Sequence, residues 1–289
     1  MPQKSVLITG CSEGGIGDAL AKAFHRKGIR VFATARNLSR VEHLKKMGMD
    51  VLPLDVTEAS SIEKAVESVK LATGGTLDIL VNNSGAGYGM PLLDTNVAQA
   101  KAVFDVNVFG VIAVTQAFAP LLIPSKGTIV TVGSVAGSVP VYWAGYYNAS
   151  KSAVNLLTDQ LRLELAPLGV KVILVVTGGV KTKFFEKQPD VTLPSGSYYA
   201  PARQEIESAA SGNALRKETF VDADVYAEAV IKNVLSRNPT ARQFAGEKAG
   251  LTLWMVTYVP RVLWEYALRQ FSGLPQISKK IAAAQKLAQ

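Results

Sequence analysis

The chain has 289 residues, 48% of them hydrophobic and 19% charged, and a formal net charge of +8 at pH 7. That apolar share can fill a large buried core and excludes a disordered chain. A single cysteine and two histidines exclude an internal disulfide, suit a reducing compartment and leave no ligand cluster for a metal.

In chain order, short apolar runs at 6–9, 29–34, 51–54, 77–81, 127–132 and 170–176 predict strands. Between and after them, helices are expected near 16–27, 58–73, 95–123, 146–166 and 222–237. Continuous runs of this length suit parallel strands covered on both faces. The first run, Ser5 to Thr9, leads into Gly10-Cys11-Ser12-Glu13-Gly14-Gly15-Ile16-Gly17. An amphipathic segment follows, with Ala19, Leu20, Ala23 and Phe24 on one side and Gly28 at its end. Strand, glycine turn and helix make half of a βαβ unit that binds a dinucleotide. There, glycines admit a pyrophosphate and the helix start offers unpaired N–H groups. The second strand ends in Ala35-Arg36-Asn37, without the carboxylate an NAD site commonly places there. A guanidinium pairs bidentately with phosphate, so Arg36 is read as the selector of NADPH, with Arg40 and Lys4 as further candidates. The two histidines, His25 and His43, read as surface helix residues remote from every motif, and Cys11 as a small buried side chain.

Further along, Tyr147 precedes Lys151 by four residues and follows Ser134 by thirteen. Positions i and i+4 share one helix face, so a phenol and an ammonium project into the same space. A free tyrosine has a pKa of about 10, and moving it to about 7 takes ~4 kcal/mol. A nearby cation acts in that direction. Ser134, after the run 127–132, can place a hydroxyl beside the pair. Tyr142 and Tyr146 are neighbouring phenols, but only Tyr147 has the i+4 lysine.

With these motifs in this order, the chain resembles the short-chain dehydrogenase/reductase family from Val6 to about Thr182. The resemblance also rests on Leu54-Asp55-Val56, Asn82-Asn83-Ser84-Gly85, Asn107 within Val106–Gly110, and Thr177-Gly178-Gly179-Val180-Lys181-Thr182. Ser84 stands where the family usually has alanine, Thr177 where it has proline, and the glycine loop is one residue longer than its commonest form. The resemblance implies a Rossmann-type, doubly wound parallel α/β sheet over 1–240. It also implies NADPH/NADP+ held by Gly10, Ser12, Glu13, Gly14, Gly15, Ile16, Arg36, Asp55, Val56, Asn83, Gly85, Tyr147, Lys151, Gly179, Val180 and Thr182. Tyr147 is then the proton donor to a ketone, Lys151 lowers its pKa and binds ribose, and Ser134 holds the carbonyl oxygen. Asn107 anchors a proton-relay water, or alternatively is a helix amide satisfied by backbone.

Residues 183–219 mix Phe184, Phe185, Tyr198, Tyr199 and three prolines, and are expected to form a lid over a bulky or apolar substrate. Residues 241–289 carry seven Lys/Arg and two Asp/Glu beside Trp254, Tyr258 and Trp264, which suits a helix in a membrane interface. The alternative is packing on the enzyme body or at a dimer contact. The whole chain resembles the fungal 1-acyldihydroxyacetone-phosphate reductases, which implies Lys181, Lys183, Lys187 and Arg203 as partners for a substrate phosphate. It equally resembles ketoreductases or alcohol dehydrogenases acting on terpenoid or polyketide intermediates, and a catalytically silent lipid-surface protein is a third reading. Nucleic acid is not expected, since no binding motif accompanies the charge. The chain starts directly on a strand without a signal peptide, so an intracellular protein is expected. It is placed in the cytoplasm or on the cytosolic face of endoplasmic reticulum or lipid droplets, as a homodimer or homotetramer.

Overall fold

The computed structural model describes residues 3–184, 186, 190–216 and 218–287. Its first strands are β1 (Ser5–Ile8), β2 (Arg30–Ala35), β3 (Asp50–Pro53), β4 (Ile79–Asn82), β5 (Thr128–Val132) and β6 (Lys171–Thr177). Each lies within one or two residues of its apolar run. The two-residue strands β7 (Val180–Lys181) and β8 (Val221–Asp222) pair with each other, and β9 (Arg242–Ala245) completes the main sheet. All seven main strands run parallel in the order β3-β2-β1-β4-β5-β6-β9. The order reverses between β1 and β4, which opens a crevice at the strands' carboxyl ends, where open α/β sheets bind ligands.

Helices α1 (Ile16–Arg26), α2 (Glu42–Lys46), α3 (Ala59–Thr73), α4 (Val97–Phe104), α5 (Gly110–Leu122) and α6 (Gly145–Leu165) fill the crossovers. The lid contains α7 (Arg203–Ala210) and α8 (Asn213–Arg216), then α9 (Ala223–Val234) returns to the sheet. The chain ends in α10 (Ala249–Tyr258), α11 (Arg261–Phe271) and α12 (Leu274–Leu287).

Strand alternation divides the core into two layers. Val6, Ile8, Val130 and Val175 face α1 and α9, meeting Leu20, Phe24, Tyr226 and Val230. Leu7, Ile129 and Val172 face the opposite way, toward Ile62 and Val69 of α3 and Val114, Phe118 and Leu122 of α5. Each such large side chain contributes roughly 1.5–3 kcal/mol through burial.

The helix expected near 95–123 runs unbroken over Val97–Leu122 and carries one π-helical turn, Asp105–Phe109, which places Asn107 inside the fold. Two expectations change. The body does not stop at 240, because β9 inside the expected extension is the seventh strand, joined to β6 through Leu174↔Arg242 to Thr177↔Ala245. Its short, charged sequence lacks the apolar run that marks the other six. The extension also folds back onto the lid, where Ile277 joins Leu193, Ala202 and Ile206, with Met90, Trp143, Tyr199 and Ile281 packed around them. Lys280 pairs with Glu205 across the same contact.

Candidate active site

The cofactor half of the site begins where β1 turns into α1. Gly10 and Gly14 have φ of +72° and +74°, backbone that side chains rarely adopt. A Cβ on Gly17 would lie 2.5 Å from the Gly10 carbonyl oxygen and 2.6 Å from Asn83 Nδ2, so only glycine lets α1 approach this closely. Ser12, Glu13, Gly15 and Ile16 complete the turn. Among the described residues the N–H groups of Ser12, Ile16 and Gly17 have no hydrogen-bond acceptor. Unpaired donors at a helix start, with glycine at 14 and 15 and the Lys183 stem lying across Gly14, make a cradle that fits a pyrophosphate.

Neighbouring strand ends lock this loop. Thr9 Oγ1 accepts the N–H groups of Asn83 and Ser84, both at 2.9 Å, and Asn83 Nδ2 donates to the Thr9 and Gly10 carbonyls at 2.8 and 3.0 Å. Beneath it, buried Asp18 accepts the Gly14 N–H at 3.0 Å, Lys22 Nζ at 3.0 Å and His43 Nε2 at 2.8 Å. Burial works to raise the Asp18 pKa, but the hydrogen bonds from His43, Gly14 and Lys22 outweigh it and hold the carboxyl below its ordinary range. His43 is therefore not remote from the motifs: α2 carries it to the first turn of α1, a contact 25 residues long in sequence. Only the acid in the first turn of α1 hinted at this cluster.

Arg36 stands exposed just beyond β2 with no hydrogen-bond or ion-pair partner among the described residues, ready for a phosphate at the crevice rim. Arg40 lies on the same rim, its carbonyl accepting the Glu13 N–H at 3.1 Å. Lys4 lies away from that rim, since it precedes β1 and its carbonyl accepts the Arg30 N–H at the opposite, amino end of the strands. Asp55 and Val56 follow β3, where the Asp55 carboxylate caps Thr57 through its N–H at 3.0 Å and its hydroxyl at 2.7 Å. Val56 is buried against Gly110, and Gly85 follows β4. A Cβ on Gly85 would lie 3.4 Å from Asn107 Oδ1 and 3.6 Å from Lys151 Nζ, which puts that turn beside the chemistry.

Tyr147 and Lys151 occupy successive turns of α6, and Ser134 follows β5. Tyr147 keeps some solvent exposure, but the protein around its hydroxyl desolvates it and raises its pKa above the ordinary 10.0, with the Ser134 hydrogen bond acting to lower it. Lys151 is buried, and burial brings its pKa down from 10.5 to about 8. Its ammonium donates to the Val132 carbonyl at 3.2 Å. The expected lowering of the phenol by Lys151 is thus not at work in this structure, where the amine turns to β5 and Ser134 is the group that acts to lower the phenol. Tyr146 is occupied elsewhere, edge-on to Phe104 at 6.5 Å.

Asn107 Nδ2 donates to the Ala86 carbonyl at 2.9 Å and Ser150 Oγ at 3.0 Å, and its Oδ1 accepts the Ala86 N–H at 2.8 Å. Its side chain therefore ties the β4 turn to α6, as the backbone-satisfied alternative expected. Ser150 and the Val132 carbonyl carry no motif signal and become partners only through folding. Beyond β6, the Thr177 hydroxyl pairs with Tyr226 at 2.8 Å, while Gly179 exchanges backbone bonds of 2.9 and 2.7 Å with Glu247. Buried Val180 and half-buried Thr182 lead from there into the lid, where the Phe184 ring lies 6.3 Å from that of Tyr147.

Of the four basic residues expected to meet a substrate phosphate, Arg203 is engaged by Glu207 at 2.8 Å and by the Leu193 and Pro194 carbonyls at 2.6 and 3.0 Å. It braces the lid and is unavailable to a ligand. Lys187, with Phe185, lies outside the described residues. Lys181 is exposed, and among the described residues no three His, Cys, Asp or Glu side chains form a metal group.

The family model for short chain dehydrogenases matches residues 4–191. A Penicillium ochrochloron protein named short-chain dehydrogenase ptmH is 42% identical over 275 residues, spanning 95% of this chain and all of that one. The NADPH-dependent 1-acyldihydroxyacetone phosphate reductase of Schizosaccharomyces pombe is 42% identical over 239 residues, 81% of this chain and 79% of the relative. A crystal structure of a short-chain dehydrogenase from Streptomyces avermitilis superposes with a TM-score of 0.77 at 25% identity, covering 96% of this chain and 98% of that one. A closed serine dehydrogenase complexed with NADP+ gives 0.70 at 25% identity, over 84% and 94%. With the glycine cradle, the switch-point crevice and the Ser134–Tyr147–Lys151 group in one fold, these matches establish that the chain belongs to the short-chain dehydrogenase family of oxidoreductases.

Proposed function

We propose that the protein uses NADPH to reduce a ketone on a bulky, apolar substrate to a secondary alcohol. The observation that carries this is the placing of Tyr147 one helical turn before Lys151 and 6.3 Å from the Phe184 ring of the lid, where burial raises the phenol and Ser134 acts against that rise. A phenol held above its ordinary pKa keeps its proton, which is what reduction of a carbonyl needs. Bound NADPH supplies the hydride. Tyr147 delivers the proton to the carbonyl oxygen, Ser134 Oγ donates a hydrogen bond to the same oxygen as charge develops, and Lys151 repositions from Val132 to hold ribose and phenolate. Asn107, by fixing Ala86 and Ser150, keeps the walls of this group in register. Arg36 supports the choice of NADPH, as does the printed cofactor of the Schizosaccharomyces pombe relative.

Two substrate classes fit. The named activity of that relative favours 1-acyldihydroxyacetone phosphate. The loss of Arg203 to an internal brace favours a neutral ketone, such as a terpenoid or polyketide intermediate, since it removes one of the expected phosphate partners. Oxidation of NADPH on adding a ketone of each class decides between them. Turnover is expected with acyl-ketone phosphates or with large cyclic ketones, and faster than with NADH. A protein that binds NADPH but oxidises it with neither class would instead be a non-catalytic nucleotide-binding protein.

The same reading includes contact with an anionic lipid surface, on the cytosolic face of endoplasmic reticulum or lipid droplets or transiently from the cytoplasm. Trp254, Tyr258 and Tyr266 on α10 and α11 are 55%, 73% and 66% exposed, with Leu251, Val262 and Leu263 beside them, whereas Trp264, expected among these aromatics, is buried. Exposed aromatic and aliphatic side chains with Arg261 and Arg269 at hand suit an interfacial helix pair. Exposed Phe109, Leu156 and Leu163 on α5's entrance and α6 support a homodimer or homotetramer through that second face. Sedimentation of the lipid-free protein should give a dimer or tetramer, and the protein should float with anionic vesicles. A W254E/Y258E variant should keep its assembly and lose flotation. Equal flotation of both forms would sink the lipid contact, and a monomer would sink the assembly.

A further inference from the structure

Lys183 was weighed as a partner for a substrate phosphate, but the fold puts it somewhere else. Its backbone N–H donates to the Gly14 carbonyl at 3.1 Å, so the first residues of the lid are tied to the middle of the glycine loop. Its side chain lies across the same glycine. A Cβ built on Gly14 would come within 2.9 Å of Lys183 Cδ, 3.0 Å of Cε and 3.1 Å of Cγ. The aliphatic stem therefore fills the space a side chain at 14 would take, and the conformation of Gly14, φ +74°, serves two purposes.

The stem is pinned, yet the charge it carries is exposed and has no hydrogen-bond or ion-pair partner among the described residues. The nearest buried carboxylate, Asp18, already accepts from Gly14, Lys22 and His43. A lysine with no counter-ion loses side-chain entropy by lying on backbone. The arrangement makes sense if an anion completes it. The unpaired N–H groups of Ser12, Ile16 and Gly17 surround the same loop and call for the same kind of ligand.

We propose that Lys183 is a dinucleotide-binding residue, whose ammonium closes over the pyrophosphate seated on the glycine loop. This rests on the reading of the crevice as an NADPH site. Charge from the lid and N–H groups from the loop then grip the phosphates from two sides.

The test is equilibrium binding of NADPH, NADH and ADP-ribose, by fluorescence or calorimetry, to the wild type, K183M and R36M. Methionine keeps the stem and removes the charge, and the exposed position leaves folding intact, checked by circular dichroism. K183M is expected to weaken all three ligands by a similar factor, about tenfold for one charge-assisted contact, because all three share the pyrophosphate. R36M should weaken NADPH alone, and K183R should recover most of the lost affinity. Unchanged ADP-ribose binding by K183M, with normal binding by the wild type, overturns the proposal while leaving the NADPH reading intact. A K183M defect confined to the KM for an acyl-ketone phosphate would also overturn it, since the ammonium would then serve the substrate. If the wild type bound none of the three ligands, the cofactor reading itself would fail and this proposal with it.

Discussion

Replacing Tyr147 with phenylalanine should lower kcat by roughly 10²–10⁴-fold, the usual contribution of a positioned proton donor, while NADPH binding stays within about twofold. The ring packing survives in that variant, because phenylalanine keeps the face that meets Phe184 at 6.3 Å. What it loses is the one hydroxyl that Ser134 hydrogen-bonds beneath the lid. Ser134 cannot substitute as an acid, since its own hydroxyl is far less acidic than a phenol; its oxygen is also engaged as acceptor for the Ala136 N–H at 3.1 Å. Burial raises the phenol above its ordinary pKa, so the donor form is fully populated at neutral pH in the free enzyme. Single-turnover mixing of NADPH-loaded enzyme with ketone separates the two quantities. Wild-type turnover by the phenylalanine variant would mean that another group supplies the proton.

Lys151→Met should abolish catalysis to a similar degree and, unlike most active-site changes, stabilise the fold. Burial brings the Lys151 pKa from 10.5 to about 8, so at neutral pH the folded protein carries an ammonium that its surroundings disfavour. That gap corresponds to roughly 3 kcal/mol of destabilisation, offset in part by the hydrogen bond to Val132. The sign follows from proton counting. Between about pH 8 and 10.5 the unfolded chain holds the proton and the folded chain does not, so this group's contribution to stability rises with pH through that window. Below about pH 8 both forms are protonated and the full cost is present. Methionine, similar in length and uncharged, removes the cost. Denaturant midpoints should therefore favour the variant by on the order of 1–3 kcal/mol at pH 7, and the difference should shrink as pH approaches 10. Identical stability of the two proteins across that range would show that the lysine is solvated rather than buried.

The legible part of this protein was the part written in local pattern. Six strands follow from continuous apolar runs, because a strand buried on both faces must be apolar throughout. The glycine turn follows from residues that only a positive φ or a close backbone approach requires. Tyr147 and Lys151 were legible because one helical turn joins them. By contrast, β9 has no apolar run, since it pairs only at the sheet edge with Leu174 to Thr177. The π-helical turn at Asp105–Phe109 within the long helix leaves no local signal to read, although it seats Asn107 between Ala86 and Ser150.

The sequence by itself determined the sheet's parallel character, the cradle at the start of α1 and the placing of Tyr147 and Lys151 on one helix face, because each depends on residues within a turn or two of one another. Only the tertiary structure decided that Lys151 rests on Val132, that His43 reaches Asp18, that Arg203 braces the lid, and that Lys183 lies over Gly14. These contacts join segments from separate crossovers, and their geometry comes from how helices pack on a twisted sheet. No periodicity or spacing along the chain encodes that packing in a form a single sequence reveals.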